Sequence, residues 1–282
     1  MPSSKGGKNV TKPKISVICT VKNGETTIEA MLTSLTSQTF PQWELIVIDD
    51  GSTDRTPDII RNYQQTEPRI RAFFTGGIGR GEALNLAAAH AECPLIANMD
   101  ADDLMHPERL ERQWHVMRAN PELFLAGSDS LLIHGDERPV WPPLNTGGTD
   151  VTPIGRDLLR KNPISHTSVI MRKARLEKLG GYNAARKSQY DYDLWLRALA
   201  ANEPMVNLPD PLVATRIHAR QSFENKRRFH YLYRSCLLQS RHIVRSKQIS
   251  YLAYPALRMI AGMLPYRMRE KIQSWKRPPA VR

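Results

Sequence analysis

Cysteine is scarce in this chain: Cys19, Cys93 and Cys236 lie far apart in 282 residues. They form no C-x-x-C pair and no even framework, which excludes a disulfide-stapled scaffold and fits a reducing compartment. Long apolar runs are missing as well. No stretch approaches the ~18 uninterrupted apolar residues that a membrane-crossing helix needs, so none is expected. The opening Met-Pro-Ser-Ser-Lys-Gly-Gly-Lys has no apolar core behind it, so no secretory signal is expected. No internal repeat is present, and Gly76-Gly77-Ile78-Gly79-Arg80-Gly81 does not fit the G-x-G-x-x-G dinucleotide fingerprint.

Acid is absent from one end of the chain in particular. Residues 226–282 hold fourteen Lys and Arg against a single acid, Glu270, a net of +13. The whole chain carries +12, so the first 225 residues sit at −1. Such asymmetry points to an anionic partner, a membrane surface or a nucleic acid. No nucleic-acid motif accompanies the basic stretch, and no nucleic-acid partner is expected. From Leu252 onward, Ala256, Met259, Ile260, Met263 and Leu264 recur at helical spacing. Met268, Ile272 and Trp275 follow, interleaved with Arg and Lys. This suits an amphipathic segment over 250–282 on an anionic membrane. The alternative is a helix packed on the rest of the protein with its basic face in water.

What is present in quantity is apolar residues, 41% of the chain, enough for one or two packed domains. Strand-like runs at 14–20, 44–49, 70–74 and 95–99 alternate with helical spacing over 27–38, 56–63, 82–91 and 107–120. The glycine-rich run at 76–81 reads as a flexible loop. This alternation predicts an α/β fold, a mostly parallel sheet with helices on both faces. Ligands of such sheets bind beyond the carboxyl ends of the strands. Thr20, Asp49-Asp50 and Asp100-Ala101-Asp102-Asp103 all fall at those ends. Acidic clusters converging on one crevice raise each other's pKa values unless a cation lies between them. Hard carboxylate oxygens suit Mg²⁺ or Mn²⁺, held together with the phosphates of a nucleotide diphosphate. The plainer alternative for Asp49-Asp50-Gly51-Ser52 or Asp100–Asp103 taken singly is a turn or helix cap.

An ordered set of segments carries a resemblance. It comprises Ile15–Thr20 with Lys22-Asn23, Ser37-Gln38-Thr39-Phe40, and Ile46–Asp54. It continues with Ala83-Leu84-Asn85, Met99–Asp103, Pro107–Leu110, Gly180-Gly181-Tyr182 and Asp191–Arg197. Over roughly 14–222 the chain resembles the glycosyltransferase family 2 enzymes, which have the GT-A fold and mostly invert the anomeric centre. Three regions are then expected: a flexible basic N-terminus at 1–13, a GT-A catalytic domain at 14–222 where the resemblance runs, and a basic amphipathic helical C-terminal extension at 223–282. It implies a nucleotide-sugar donor, chiefly a UDP-sugar. It also implies a glycan or lipid-linked glycan acceptor in bacterial cell-surface polysaccharide or lipopolysaccharide assembly. The enzyme would then be cytoplasmic, peripheral on the cytoplasmic face of the inner membrane.

Residue roles follow from the same resemblance. Asp50 corresponds to the acid that binds the nucleotide base, Thr20 to a residue near base and ribose, and Asp100 to the acid by ribose and metal. Asp102 corresponds to the metal ligand, with Asp103 in support. Asp191 is the expected base that deprotonates the acceptor. In the family's motif that aspartate is often preceded by Glu, whereas Tyr190 stands here, so the companion acid is absent. Asp193 competes for the role, on the acceptor side; otherwise it is a first-turn acid favoured by the helix dipole. His218 resembles a metal or diphosphate ligand, and His166 a residue of the acceptor side. Either histidine can equally be structural. Arg80 would reach phosphate from the glycine-rich loop, unless it is simply solvated. Two other classes remain open. One is a non-catalytic membrane-associated protein that keeps the fold. The other is a sugar-nucleotide pyrophosphorylase, whose glycine-rich basic N-terminal signature Val17–Gly24 does not supply.

Overall fold

A computed structural model of the chain describes residues 12–145, 150–217 and 228–263. His218 and everything beyond residue 263 therefore lie outside the described residues. The chain begins with β1 (Ile15–Val21), α1 (Ile28–Thr36), β2 (Trp43–Asp49), α2 (Thr56–Thr66), β3 (Ile70–Phe74), α3 (Arg80–His90) and β4 (Leu95–Asp100). Each apolar run became a strand and each 3.6-period run a helix. Arg80 and Gly81, read as loop, form the first turn of α3.

β1 shows why this half folds as it does. Ile15, Val17, Cys19 and Val21 enter one apolar cluster, with Met31 and Leu35 of α1 and Ile60 of α2. Ile18 points the other way, into a second cluster with Ala83, Leu84 and Ala87 of α3. A strand buried on both faces needs apolar residues at odd and even positions alike, which is what a parallel sheet between helical layers demands.

The second half is more mixed. It adds β5 (Leu104–Met105), α4 (Arg109–Ala119), β6 (Leu125–His134), β7 (Thr152–Pro153), β8 (Ile170–Arg172), α5 (Lys173–Lys178), α6 (Tyr190–Ala200) and β9 (Met205–Ile217). Among the described residues nine strands form one sheet in the order β3-β2-β1-β4-β8-β6-β9-β5, with β7 on β9. β3, β2, β1 and β4 are parallel, β8 enters antiparallel to β4 and β6, and β6 and β9 pair in parallel. Arg109, fully buried at the start of α4, ties the β4–β8 junction by donating to the carbonyls of Asn98 (2.8 Å) and Val169 (3.4 Å).

Two helices follow, α7 (Arg228–Arg245) and α8 (Ala253–Met263). Leu238 and Ile243 of α7 join the same cluster as Trp195 of α6, and buried Gln239 donates to the Leu159 carbonyl (2.5 Å). The opposite face of α7 leaves Phe229, Tyr233, Leu237 and Val244 exposed, and α8 exposes Leu257, Ile260 and Met263. Among the described residues no helix is long and apolar enough to cross a membrane.

Candidate functional site

The order of the strands decides where a site can form. The chain steps outward from β1 to β2 and β3, then returns to place β4 on the other side of β1. A crevice opens at such a reversal, beyond the carboxyl ends of the two diverging strands. Thr20 of β1 lies directly opposite Asp100 of β4 at that point, and Val21 lies opposite Asp49 of β2. The sheet thus brings Thr20, Asp50 and Asp100 to one edge.

Asp50 is buried, and its carboxylate gathers the loop that follows β3. It accepts hydrogen bonds from Thr75 Oγ1 (2.8 Å), Ile78 N–H (2.6 Å) and Gly79 N–H (2.9 Å). Gly77 and Gly79 adopt φ of 92° each, which side chains other than glycine's rarely tolerate. That backbone turns two successive amides onto one carboxylate. The loop is therefore pinned rather than free, and it delivers Arg80 to the crevice.

Arg80 meets Asp100 at 2.6 Å. Burial works to raise the Asp100 pKa, but the adjacent Arg80 guanidinium outweighs it and holds the carboxyl well below its usual range. Arg80 is in turn held protonated by Asp100, with Asp102 and Asp191 adding to the field. The carboxylate oxygens of Asp100, Asp102 and Asp103 come within 4.8 Å of one another. Asp103 is buried and accepts the Arg216 N–H at 2.9 Å. Burial first, then the charges of Asp100 and Asp102, push its pKa well above the ordinary value. The buried guanidinium of Arg109 also feels Asp103 and Asp100, and burial lowers its pKa to about 9. Three acids thus gather beside Arg80 and Arg109, with the Arg216 Nε–H on the Asp102 carbonyl (3.1 Å), and one carboxyl still resists ionising. That donor set, hard carboxylate oxygens within one ion's reach of each other, fits a divalent ion.

His166 belongs to a chain of polar contacts beneath this cluster. Asn98 Nδ2 donates both to the His166 carbonyl (3.1 Å) and to Nδ1 (3.0 Å). The ring proton is then on Nε2, which meets Tyr182 Oη at 3.0 Å. Nδ1 stands 3.8 Å from Asp100, beyond hydrogen-bonding reach. Tyr182 is buried, and burial together with the charge of Asp191 pushes its hydroxyl pKa far up, so it stays protonated.

Asp191 sits half-buried in the first turn of α6, where Asn162 Nδ2 fixes its Oδ2 at 2.9 Å. It makes no ion pair among the described residues, and its charge is felt by Arg80 and Tyr182 across the crevice. Asp193 is placed differently. It is buried between Arg197 (2.9 Å) and Arg186 (3.4 Å), and Arg197 also donates to the carbonyls of Leu179 and Gly181. Asp193 therefore fastens the Gly180-Gly181 turn. Asn85 completes that fastening by exchanging two 2.8 Å hydrogen bonds with the backbone of Tyr182. Sequence reasoning missed Asn162, Asn98 and Tyr182 as parts of the site. The four-residue spacing of Asp193 and Arg197 was a readable signal for their ion pair.

Comparisons with known proteins bear on the family and the fold. Residues 16–180 match a family model described as glycosyl transferase family 2. Over 218 residues the chain is 31% identical to the amylovoran biosynthesis glycosyltransferase AmsE of Erwinia amylovora, covering 76% of this chain and 79% of that one. The fold superimposes on S. aureus TarS residues 1–349 in complex with UDP-GlcNAc at a TM-score of 0.66 and 21% identity, covering 87% of this chain and 72% of that one. It also superimposes on the mannosyltransferase PcManGT of Pyrobaculum calidifontis, in complex with GDP-Man and Mn²⁺, at a TM-score of 0.62 and 18% identity, covering 94% of this chain and 80% of that one.

Proposed function

Because this chain belongs to glycosyl transferase family 2, we propose that it is an inverting, metal-dependent enzyme moving a sugar from a UDP-sugar to a hydroxyl of a glycan or lipid-linked glycan. The observation that carries this reading is the convergence of Asp100, Asp102 and Asp103 at the strand reversal, beside Arg80. A UDP-sugar is favoured because a neighbour of the same fold is described with UDP-GlcNAc. Manganese or magnesium is equally suited to the carboxylates, and the GDP-Man and Mn²⁺ neighbour shares the fold.

In the reaction, the acceptor oxygen bonds to the anomeric carbon as that carbon's bond to the donor diphosphate breaks. The acceptor's proton passes to Asp191, and the nucleoside diphosphate leaves with both bonding electrons. Asp191 suits this task because Asn162 orients it and no cation pairs with it among the described residues. Asp50 and Thr20 flank the space for the base and ribose. Arg80 can turn from Asp100 to a phosphate oxygen. Asp100, Asp102 and, beyond the described residues, His218 would hold the metal, which when bound offsets the charge growing on the diphosphate. His166, through Tyr182 and Asn98, keeps the floor rigid on the acceptor side. Asp193 anchors the turn next to it.

The relative named for amylovoran biosynthesis supports a role in bacterial cell-surface polysaccharide assembly. The outward Leu257, Ile260 and Met263 of α8 support peripheral contact between residues 250–282 and the cytoplasmic face of the inner membrane. Calorimetric titration of the protein with UDP, GDP and CDP, each with Mn²⁺ or with EDTA, tests the core of the proposal. UDP binding that needs the metal is expected. Equal binding in EDTA, or none to any nucleotide, overturns it.

A further inference from the structure

A cavity of about 390 Å³ lies away from the acidic crevice, between the segment preceding α6 and the flank of α7. Its walls carry Arg186 and Lys187 from the segment and Arg234 and Arg241 from the helix, over an apolar floor of Leu237 and Leu238. Among the described residues no carboxylate lines it. Arg234 and Arg241 are seven residues apart, two turns along one face, about 10 Å. Arg186 spends part of its charge on Asp193 (3.4 Å), whereas Lys187, Arg234 and Arg241 have no acidic partner among the described residues. Four cations converging on one concavity repel each other and attract a multiply charged anion. Guanidinium forks match phosphate oxygens in particular.

We propose that this cavity is a binding site for a phosphoryl group, a phosphate or diphosphate ester. The floor adds a second property. Leu237 belongs both to the cavity and to the exposed apolar row with Phe229 and Tyr233, so an apolar substituent on the phosphate has a surface to follow. Position links the site to the chemistry. The segment runs straight into Gln189, whose side chain donates to the Tyr231 carbonyl of α7 (3.3 Å), and Asp191 follows two residues later. A phosphoryl group held here is read as part of the acceptor, because one wall of the cavity is the segment that leads into Asp191. That link rests on the function proposed above, whereas the anion site itself does not.

The test is calorimetric titration of the full chain with sodium pyrophosphate and, separately, with farnesyl diphosphate as a soluble prenyl diphosphate. EDTA is present throughout, so that the three aspartates cannot recruit a diphosphate through a metal. Both ligands are expected to bind the natural protein. The double variant Arg234→Gln/Arg241→Gln should weaken pyrophosphate binding by roughly tenfold or more. Arg234→Lys/Arg241→Lys should retain most of it. Melting temperature, and UDP binding with Mn²⁺, should be unchanged in both. If the glutamine variant melts early, the exposed Lys187→Ala variant applies the same criterion. Tighter binding of farnesyl diphosphate than of pyrophosphate assigns the group to a lipid-linked acceptor; equal binding assigns it to a free or water-soluble phosphate. No pyrophosphate binding by the natural protein, or unaltered binding in folded variants, overturns the proposal.

Discussion

Gly81 is where α3 meets the segment that precedes α6. A Cβ built there would lie 2.8 Å from the backbone Cα of Ala184 and 2.9 Å from the ring of Tyr190. Carbon contacts are comfortable at about 3.5–4.0 Å, so Gly81→Ala must push α3 and the 184–190 segment apart by roughly 0.7 Å or more. One of the two obstacles is backbone, which cannot rotate aside. Overpacking of this kind costs about 1–3 kcal/mol. In a chain of this size that lowers the melting temperature by roughly 2–12 °C. The displaced segment leads into Asp191, so turnover should fall further than donor binding does. Gly76, in the same glycine-rich run, has nothing within 4 Å of its would-be Cβ, and Gly76→Ala should melt with the natural protein. Scanning fluorimetry of the two variants side by side decides the matter. A Gly81→Ala protein that melts within a degree of Gly76→Ala refutes the close approach of α3 to the 184–190 segment.

Further outcomes follow from other contacts. Asp102→Asn should weaken metal-dependent UDP binding, whereas Asp191→Asn should bind UDP normally and lose transfer; full transfer by Asp191→Asn removes it as the base. Glu44 is buried and accepts from Ser16 Oγ (2.6 Å), Glu92 N–H (2.8 Å) and Arg71 (3.0 Å). Burial opposes its ionisation, but those partners prevail and its pKa is lowered. Glu44→Ala should cost about 2–4 kcal/mol in urea unfolding by stranding them, and a loss below about 0.5 kcal/mol would show the network to be idle. His106 has its pKa lowered, chiefly by burial, with Arg112 adding to the effect and Glu108 and Asp210 opposing it. The unfolded chain then binds more protons than the native one below about pH 6.5, so His106 makes stability fall as pH drops from 7 to 5. His106→Asn should flatten that slope; an unchanged slope excludes His106 as its source.

The first half of the fold is readable in the residues because its runs are strongly periodic and its strands neighbour each other in space. The apolar run at 70–74 coincides with β3 to the residue. Strand order alone assigns the acids at the ends of β2 and β4 to one crevice. The second half is harder for a physical reason. β8 is three residues long and owes its place to Arg109 and to neighbours β4 and β6, none adjacent in sequence. The basic C-terminal stretch announces its charge and the spacing of α8, but not that α7 buries Leu238 and Ile243 against α6. At the site, residue types at strand ends expose Asp50 and Asp100. The Asp50 hold on Ile78 and Gly79 stays hidden, because it depends on two left-handed glycines whose φ no residue pattern states. The contacts of Tyr182 with His166 and Asn85 likewise exist only once distant segments meet.

The parallel pairing of β6 with β9 has a consequence for synthesis of the chain. Leu125 waits for Met205, eighty residues later, before that edge of β6 is covered. At ribosomal speeds of about 5–20 residues per second, the wait is roughly 4–16 s. For the first part of it Leu125 and Ala126 lack their eventual neighbour β8 as well, and unpaired backbone of this kind is a template for another nascent chain. The protein's most vulnerable interval should therefore fall between the emergence of β6 and that of β9. Chaperone dependence, and losses to aggregation at high expression, should concentrate there rather than in the finished fold.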